Sequence, residues 1–147
     1  KAKRVKKMSE FKEIIPVVIP MIFNEKKQVL LVKSDKWENK WIFPGGKVLP
    51  GEKLEQTVRR EVKEEFGISL NDVIYWYFTE NINPPYFFKQ AHFISFVFIC
   101  KTTDENVKLN SEAQDFQWIA PQKAVLLDIH PDSKKALENF LRDERYD

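Results

Sequence analysis

The sequence predicts one α/β domain, built from a mixed β-sheet with helices on its faces. Runs rich in β-branched and aromatic residues are separated by polar turns, as expected for strands. Two segments instead repeat their apolar residues with helical spacing. The connections are too irregular for a repeated strand–helix–strand wrap, and 147 residues suffice for one core without disulfides.

The first predicted unit is a β-hairpin. Residues 13–23, EIIPVVIPMIF, form a β-branched apolar run, and residues 28–34, QVLLVKS, form another. The polar stretch NEKK between them predicts a turn. Since proline cannot donate a ladder hydrogen bond, Pro16 and Pro20 predict that the first strand lies at a sheet edge or contains a bulge.

A short extended segment and a helix follow the hairpin. The segment WIFPGGK is expected to be extended, because Pro44 disfavours helical geometry at Phe43. The next helix is predicted to begin near Glu52 and to run through Phe66, with Gly67 in the C-terminal cap position.

The second half of the chain contains the remaining elements. Strands are predicted over three further runs, residues 73–80, 91–101 and 116–120. PQKAVLL is predicted to be helical, and a last helix is expected to open at Asp132 or Ser133 and to continue through KKALENFLRDE. His130, directly before Pro131, is expected on a surface loop.

The net charge of +2 is unevenly distributed along the chain. Five basic groups lie in the first seven residues, KAKRVKK, which leaves the rest mildly acidic. We therefore expect a flexible basic arm over residues 1–10 and a single domain over residues 11–147. A dedicated nucleic-acid binder is not expected. No apolar run reaches the roughly 18 residues of a membrane span, and a lone cysteine, Cys100, excludes an internal disulfide, so a cytoplasmic location is expected.

All four glycines of the chain lie within residues 45–67. The sequence PGG followed by PG, within residues 44–52, predicts a sharply bent loop. Glycine also allows the backbone to approach a ligand closely and to present an amide or a carbonyl to it. This glycine loop is therefore a candidate ligand-binding element.

Three glutamates of the following helix, Glu61, Glu64 and Glu65, lie within about one turn of each other. On ideal helix geometry Glu65 falls in the sector of the apolar stripe and Glu61 at its edge, whereas a solvated face would lie opposite. Arg60 alone cannot neutralise three clustered carboxylates. A hard divalent cation can, because it prefers oxygen ligands. The alternative is an acid-rich helix with surface ion pairs only.

The spacing of these residues resembles the signature of the Nudix (MutT-like) hydrolases. Gly46 is followed after five residues by Glu52, and after seven more by the run REVKEEFGI, so that every fixed position of the 23-residue pattern is filled. The resemblance covers most of residues 13–140, including the W-x-x-P-G-G-K lead-in. It implies the family's α/β/α sandwich.

The resemblance also implies an activity. Family members usually hydrolyse the diphosphate linkage of a nucleoside diphosphate derivative or a nucleoside triphosphate, by attack of a metal-activated water. The implied cofactor is Mg²⁺, with Mn²⁺ as a substitute, and the implied metal ligands are the carbonyl of Gly46 and the carboxylates of Glu61, Glu64 and Glu65. Either Glu61 or Glu64 is then the general base.

Two further roles follow from the resemblance. Glu52 and Arg60 are implied to support catalysis by joining the loop to the helix through a salt bridge. An acid from outside the signature often acts as a further ligand or base. Glu112 is the candidate, with Glu105 and Asp115 as rivals; its alternative is a solvated loop residue.

The substrate is predicted less closely. Several aromatic residues could stack on a base or could instead pack the sheet: Trp37, Trp41, Tyr86, Phe87 and Phe88. Lys40 and Lys47 are candidate phosphate contacts. The position of Pro84 resembles ADP-ribose-type members and that of Tyr86 resembles dinucleoside polyphosphate hydrolases, while a modified nucleoside triphosphate or a nucleotide sugar stays open.

Two other functions stay open on the sequence. A non-catalytic Nudix-fold nucleotide sensor would typically lack some of these carboxylates, and none is missing. An RNA-cap-directed hydrolase would use the basic arm as an anchor, for which seven residues on an acidic body are weak support. The expected partner is a small-molecule nucleotide, with neither membrane nor nucleic acid. Since many family members are dimers, a homodimer is a further expectation.

Overall fold

A computed structural model describes residues 13–85, 87, 89–143 and 145. Within this range the chain forms seven strands: β1 (Ile15–Phe23), β2 (Val29–Lys33), β3 (Trp41–Ile42), β4 (Gly46–Lys47), β5 (Asp72–Ile82), β6 (His92–Lys101) and β7 (Asp115–Ile119). It also forms three α-helices: α1 (Leu54–Phe66), α2 (Pro121–Ala124) and α3 (Pro131–Arg142). The predicted basic arm, residues 1–10, lies outside the described residues, so the domain boundaries stay a prediction.

The strands form one mixed sheet in the order β3-β2-β1-β6-β5, with β4 paired to β1 and β7 paired to β2. β1 and β6 are parallel along the whole of β1. The other pairs are antiparallel. The predicted hairpin is confirmed, since Phe23 pairs with Val29 in antiparallel register. The predicted α/β class with a mixed sheet is likewise confirmed.

β1 lies inside this sheet, so the edge position predicted from its prolines is wrong. The carbonyl of Pro16 accepts a hydrogen bond from the amide of Val48, 3.0 Å away, on the side of β4. The N and C=O groups of one residue point to the same side of a strand, and every second residue points to that same side. The nitrogen of Pro16 therefore faces the side of β4, and so does that of Pro20, four residues later. Both nitrogens face away from β6. The prolines therefore remove no hydrogen bond from the parallel ladder between β1 and β6. On the side that they face, few strand partners need a donor, because β4 contributes only two residues and β2 pairs only at Phe23.

Helices cover both faces of the sheet in an α/β/α arrangement. On one face the core joins apolar residues of α1 to alternate residues of β1 and β2: Val58, Val62, Phe66, Val18, Ile22 and Leu30. On the other face α2 and α3 meet the intervening strand residues: Ala124, Ala136, Leu137, Met21, Val29 and Leu31. Burying each large side chain of this kind contributes about 2 kcal/mol. Among the described residues, none of the helices has the length and apolarity that a membrane crossing requires.

The ends of α1 follow the prediction closely. It begins at Leu54, two residues after the predicted Glu52, and ends at Phe66. Gly67 follows with φ of 70°, in the left-handed region that glycine adopts without strain. The helix that carries the three signature glutamates is therefore placed as the sequence indicated.

The start of α3 differs from the prediction. The helix begins at Pro131, and its N-cap is His130, whose Nδ1 accepts a hydrogen bond from the amide of Asp132 at 3.2 Å. Proline suits the first helical position because its missing N–H would have no helical partner there. The surface position predicted for His130 is wrong, since this residue is 2% exposed, and burial lowers the pKa of its imidazole.

Candidate active site

An open cleft of about 620 Å³, a volume typical of small-molecule sites, crosses one face of the sheet. Its floor consists of side chains from β1, β6 and β5: Val17, Ile19, Ser95, Val97, Tyr77, Thr79 and Asn81. Gly46, Glu61 and Glu65 line it on the side of β4, and Asp132 lines it on the side of β5. The glycine loop and the acidic helix thus share one end of the cleft.

Gly46 lies directly against Glu61. A β-carbon at position 46 would overlap the carboxylate group of Glu61, so glycine is what lets this carboxylate lie directly against the loop. The second part of the loop closes through a turn, in which the amide of Glu52 donates to the carbonyl of Leu49 at 3.0 Å. Gly51 has φ of 88° in this turn, a conformation that favours glycine.

Arg60 connects the glycine loop to α1. Its guanidinium donates to both carboxylate oxygens of Glu52, at 2.6 and 2.9 Å, and to the carbonyl of Lys47 at 3.1 Å. It also donates to Glu61 at 2.8 Å and to Glu64 at 3.1 Å. The bond from Arg60 is the main cause that lowers the pKa of Glu52 to about 2. One cation therefore holds the loop and two of the signature acids in place.

Glu61 and Glu65 line the cleft, and Glu112 reaches it from a different part of the chain. Glu65 is only 9% exposed. Burial is the largest cause that raises its pKa far above the usual range, and the neighbouring carboxylates of Glu112 and Glu61 add to the effect. Three carboxyl groups so close to an apolar core are costly unless a proton or a cation joins them.

Glu112 reaches the site because its loop is fastened to the end of α1. The amide of Lys108 donates to the carbonyl of Phe66 at 2.8 Å, and the amide of Asn110 donates to the carbonyl of Glu65 at 3.2 Å. The amide of Glu112 then donates to the side-chain oxygen of Asn110 at 2.9 Å. Main-chain contacts thus bring this acid to the signature helix.

The two rivals of Glu112 lie elsewhere. The carboxylate of Glu105 accepts a hydrogen bond from the side chain of Asn24 at 2.8 Å, at the turn between β1 and β2. Asp115 opens β7, and its carboxylate accepts from the amide of Phe116 at 2.8 Å. Neither residue lines the cleft. Of the three candidates outside the signature, only Glu112 lies beside the signature acids.

The donor set suits a hard divalent cation. The carboxylates of Glu61, Glu65 and Glu112 and the carbonyl of Gly46 are all oxygen donors, which Mg²⁺ prefers. Glu64 is 59% exposed at its side chain and is bonded to Arg60, so it would have to rotate to join them. Within the described part of the chain, no three acidic, histidine or cysteine side chains are already spaced to hold an ion. The residues present therefore fit Mg²⁺ after movement of flexible side chains.

Residues 13–140 match the family model of the NUDIX domain. The chain belongs to the Nudix family. Its enzyme class is therefore pyrophosphohydrolase, which means that it hydrolyses phosphoric acid anhydrides.

Nudix relatives cover most of the chain. The nucleoside triphosphatase NudI of Escherichia coli O81 (strain ED1a) is 30% identical over 130 residues, which covers 82% of this chain and 92% of NudI. A MutT NUDIX hydrolase from Burkholderia pseudomallei has a TM-score of 0.71 at 22% identity, with 86% of this chain and 98% of that one covered. The E. coli dihydroneopterin triphosphate pyrophosphohydrolase has a TM-score of 0.70 at 20% identity, with 85% and 93% covered. Both structures share the fold described above.

The Nudix cleft contains only part of the predicted substrate-binding set. Lys47, which belongs to the glycine loop, lines it. Lys40 instead forms an ion pair with Asp128 at 3.0 Å, and Trp41 packs into the core on the α3 side of the sheet. Lys40 and Trp41 do not line the cleft, and their role as substrate contacts stays a prediction. The remaining two predicted contacts lie outside the described residues: Tyr86 and Phe88.

Sequence reasoning missed the polar residues on the floor of the Nudix cleft. Thr79 and Ser95 are register partners on β5 and β6, and Asn81 follows two residues later on β5. Asp132, in the first turn of α3, accepts a hydrogen bond from Nδ2 of Asn81 at 2.6 Å. The available signal was the pair of polar side chains at every second position of β5, which indicates a polar stripe on one face of a strand.

Proposed function

We propose that this chain is a Mg²⁺-dependent hydrolase that cleaves a phosphoric anhydride in a nucleoside triphosphate or in a nucleoside diphosphate derivative. The observation that carries the proposal is the meeting of Gly46, Glu61, Glu65 and Glu112 at one end of a cleft of about 620 Å³. The names of two relatives support it, since one is a nucleoside triphosphatase and the other a dihydroneopterin triphosphate pyrophosphohydrolase.

The metal would be held by oxygen atoms from the loop, the helix and the neighbouring loop: Gly46, Glu61, Glu64, Glu65 and Glu112. Bound Mg²⁺, or Mn²⁺ in its place, supplies charge neutralisation for the phosphates and a lower pKa for a bound water. Lys47 lines the same end of the cleft and adds positive charge next to the phosphates.

A carboxylate takes the proton of the attacking water, and Glu61 and Glu64 are the candidates. The water oxygen bonds to one phosphorus atom as the bond from that phosphorus to the bridging oxygen breaks. The bridging oxygen leaves with the second phosphate and carries the electron pair. Arg60 donates hydrogen bonds to both candidates and so holds their carboxylates beside the glycine loop. Glu61 already lines the cleft, whereas Glu64 lies outside its lining.

A panel of nucleotides tests this function. With the full chain and Mg²⁺, at least one nucleoside triphosphate or nucleoside diphosphate derivative should yield a nucleoside monophosphate, and EDTA should abolish its release. Ion-exchange chromatography identifies the products. Nucleotide binding without any turnover would contradict the proposal and favour a sensor. Cleavage of capped RNA that is lost on removing residues 1–7 would favour the RNA-directed alternative.

Metal binding should release a proton, because Glu65 holds one in the metal-free protein. Its raised pKa keeps the carboxyl group protonated near pH 7, and the group must ionise to become a ligand. We expect about one proton per Mg²⁺ at pH 7, and an affinity that rises up to about tenfold per pH unit below the raised pKa. Calorimetric titration in buffers of different ionisation enthalpy measures the number of protons.

The Glu65→Gln variant is the control for proton release. It should bind Mg²⁺ more weakly, release almost no proton and lose most of the pH dependence. The same proton affects folding stability when EDTA removes the metal. Between pH 4.5 and the raised pKa, Glu65 is protonated in the folded wild type but ionised in the unfolded chain. The stabilisation from this proton is complete below pH 4.5 and is lost as the pH rises through the folded pKa, a trend the variant should lack. A wild type that releases no proton would contradict the assignment.

The proposal extends to a small-molecule nucleotide as partner and to a cytoplasmic location. The single cysteine of the chain, Cys100, is buried in the core, and burial raises the pKa of its thiol to about 12. A thiol of this kind is inert, which suits a protein that works without oxidation. Homodimer formation stays a prediction.

A further inference from the structure

We propose that Asn81 and Asp132 form the base-recognition part of the cleft and select nucleotides whose base has an exocyclic amino group. This inference rests on the proposed function, because it names the substrate class for the same cleft. It is carried by the position of the pair, by its hydrogen-bonding chemistry and by the aromatic rings beside it.

The pair lies at the end of the cleft away from the glutamates. β4, which carries Gly46, is followed across the sheet by β1, β6 and then β5, which carries Asn81. Three strand spacings of about 4.8 Å amount to about 14 Å. The floor between the two ends consists of strand side chains such as Ser95 and Thr79. A nucleotide with its phosphates at Gly46 would therefore extend its base towards Asn81 and Asp132.

The hydrogen bond within the pair leaves two acceptors for a ligand. A carboxylate oxygen accepts hydrogen bonds and an amide nitrogen donates them, so the amide nitrogen of Asn81 must face Asp132. Nδ2 of Asn81 donates to Oδ2 of Asp132 at 2.6 Å. Over the described ranges no donor contacts Oδ1 of either residue, and no lysine or arginine pairs with Asp132. Both residues line the cleft.

Flat side chains lie beside these acceptors. Phe93 is the register partner of Asn81 on β6. The ring of Trp37 lies 4.5 Å from that of Phe87 and 6.3 Å from that of Phe93, measured between centroids. Trp37 also meets the ring of His130, the N-cap of α3, edge-on at 5.0 Å. An aromatic surface next to hydrogen-bonding groups suits a nucleobase, which has a π face and a polar edge.

Two acceptors require N–H donors from the ligand. Cytosine, adenine and guanine carry an exocyclic amino group, and carboxylates accept from the amino group of cytosine in protein–nucleic acid complexes. Uracil places an oxygen where cytosine has its amino group, and hypoxanthine lacks the 2-amino group of guanine. These bases would leave an acceptor of the pair repelled or without a partner, which costs affinity.

Binding of nucleoside monophosphates tests the pair apart from hydrolysis, because a monophosphate contains no anhydride. For the full chain with Mg²⁺, Kd should be at least about tenfold lower for CMP than for UMP, and likewise for GMP than for IMP. Asp132→Asn should bring both ratios close to one, because its amide can present a donor where the carboxylate only accepted. Asn81→Ala is the second variant and should reduce both ratios.

Asp128→Asn is the matched control, since Asp128 is exposed, pairs with Lys40 and lies outside the cleft. It should leave both ratios unchanged. Because each ratio compares two ligands on the same protein, a general loss of affinity cancels. Three results would each overturn the inference. They are ratios near one in the wild type, ratios that Asp132→Asn retains, and no binding of any monophosphate.

The nucleotide panel separates this inference from the proposed function. Turnover together with unselective base binding would refute the role of Asn81 and Asp132 and would leave the proposed hydrolase function standing. Selective binding without turnover would remove the hydrolase and leave the base assignment.

Discussion

The Glu61→Gln variant should hydrolyse its best nucleotide substrate at least about 100-fold more slowly than the wild type, with the fold unchanged. Glu61 lies against Gly46 in the cleft and accepts a hydrogen bond from Arg60 at 2.8 Å. Glutamine keeps the shape of the side chain and removes its charge, so the loss reports electrostatic stabilisation of the transition state rather than packing. The measurement is kcat at saturating Mg²⁺, with Tm in EDTA as the check on folding.

Glu55→Gln is the matched control on the same helix. Glu55 pairs with Arg59 at 3.4 Å, the side chains are 58% and 43% exposed, and neither residue lines the cleft. Its activity should stay close to that of the wild type, since exposed pairs of this kind contribute little. Equal activity of Glu61→Gln and Glu55→Gln would refute the site. Comparing Glu61→Gln with Glu64→Gln identifies the general base. Only the variant that lacks the base should lose the acidic limb of the pH–rate profile.

The Gly46→Ala variant should also lose about 100-fold of its activity while it stays folded. The added β-carbon would occupy the position of the Glu61 carboxylate group. This group is the end of a flexible side chain, so the carboxylate moves and the backbone does not. A shift of about 1 Å in a group that positions reactants is enough for a loss of this size. The measurements are kcat, KM and the apparent Mg²⁺ affinity.

Gly51→Ala provides the opposite result from the same loop. A β-carbon there has no atom within 4 Å, but the backbone has φ of 88°. The change should therefore cost about 1 kcal/mol of folding free energy through backbone strain, and leave Glu61 where it is. Tm should fall more in Gly51→Ala than in Gly46→Ala, and activity should fall less. The same loss of activity in both variants would show that the loop acts only through its stability.

The signature part of the site could be predicted because its members lie in one continuous segment. Helix periodicity determines that Glu61 and Glu65 lie next to the apolar stripe of α1, whatever the rest of the chain does. Gly67 could be assigned as a helix cap for the same local reason. The loop residue Gly46 then follows from the spacing of the family signature.

The parts of the site that join distant segments could not be predicted with the same detail. The sequence offers Glu112 only as one of three candidate acids, because the main-chain hydrogen bonds that bring its loop to the signature helix cannot be derived from residue spacing. Asn81 meets Asp132 across 51 positions of sequence. Lys40 and Trp41 precede the glycine loop in sequence and yet contact Asp128 and the core, because neighbours along a chain need not share a surface.

The position of β1 shows the same limit for the fold. Pro16 and Pro20 indicate that one side of the strand lacks donors. They do not indicate whether the sheet needs donors on that side. Here the long parallel partner β6 lies on the other side, so the strand is central although its composition suggests an edge.

Because of Arg60, the acids of the site can be held in a folded arrangement without a metal. Its guanidinium already pairs with Glu52, Glu61 and Glu64, so it is a permanent counter-ion that offsets part of their charge. Small structural metal domains, by contrast, fold only when their ion binds. In this chain the arginine maintains the resting arrangement of the acids, and under the proposed function a bound metal would convert that arrangement into a working one. Such an ion could leave with a product and be replaced while the scaffold stays intact.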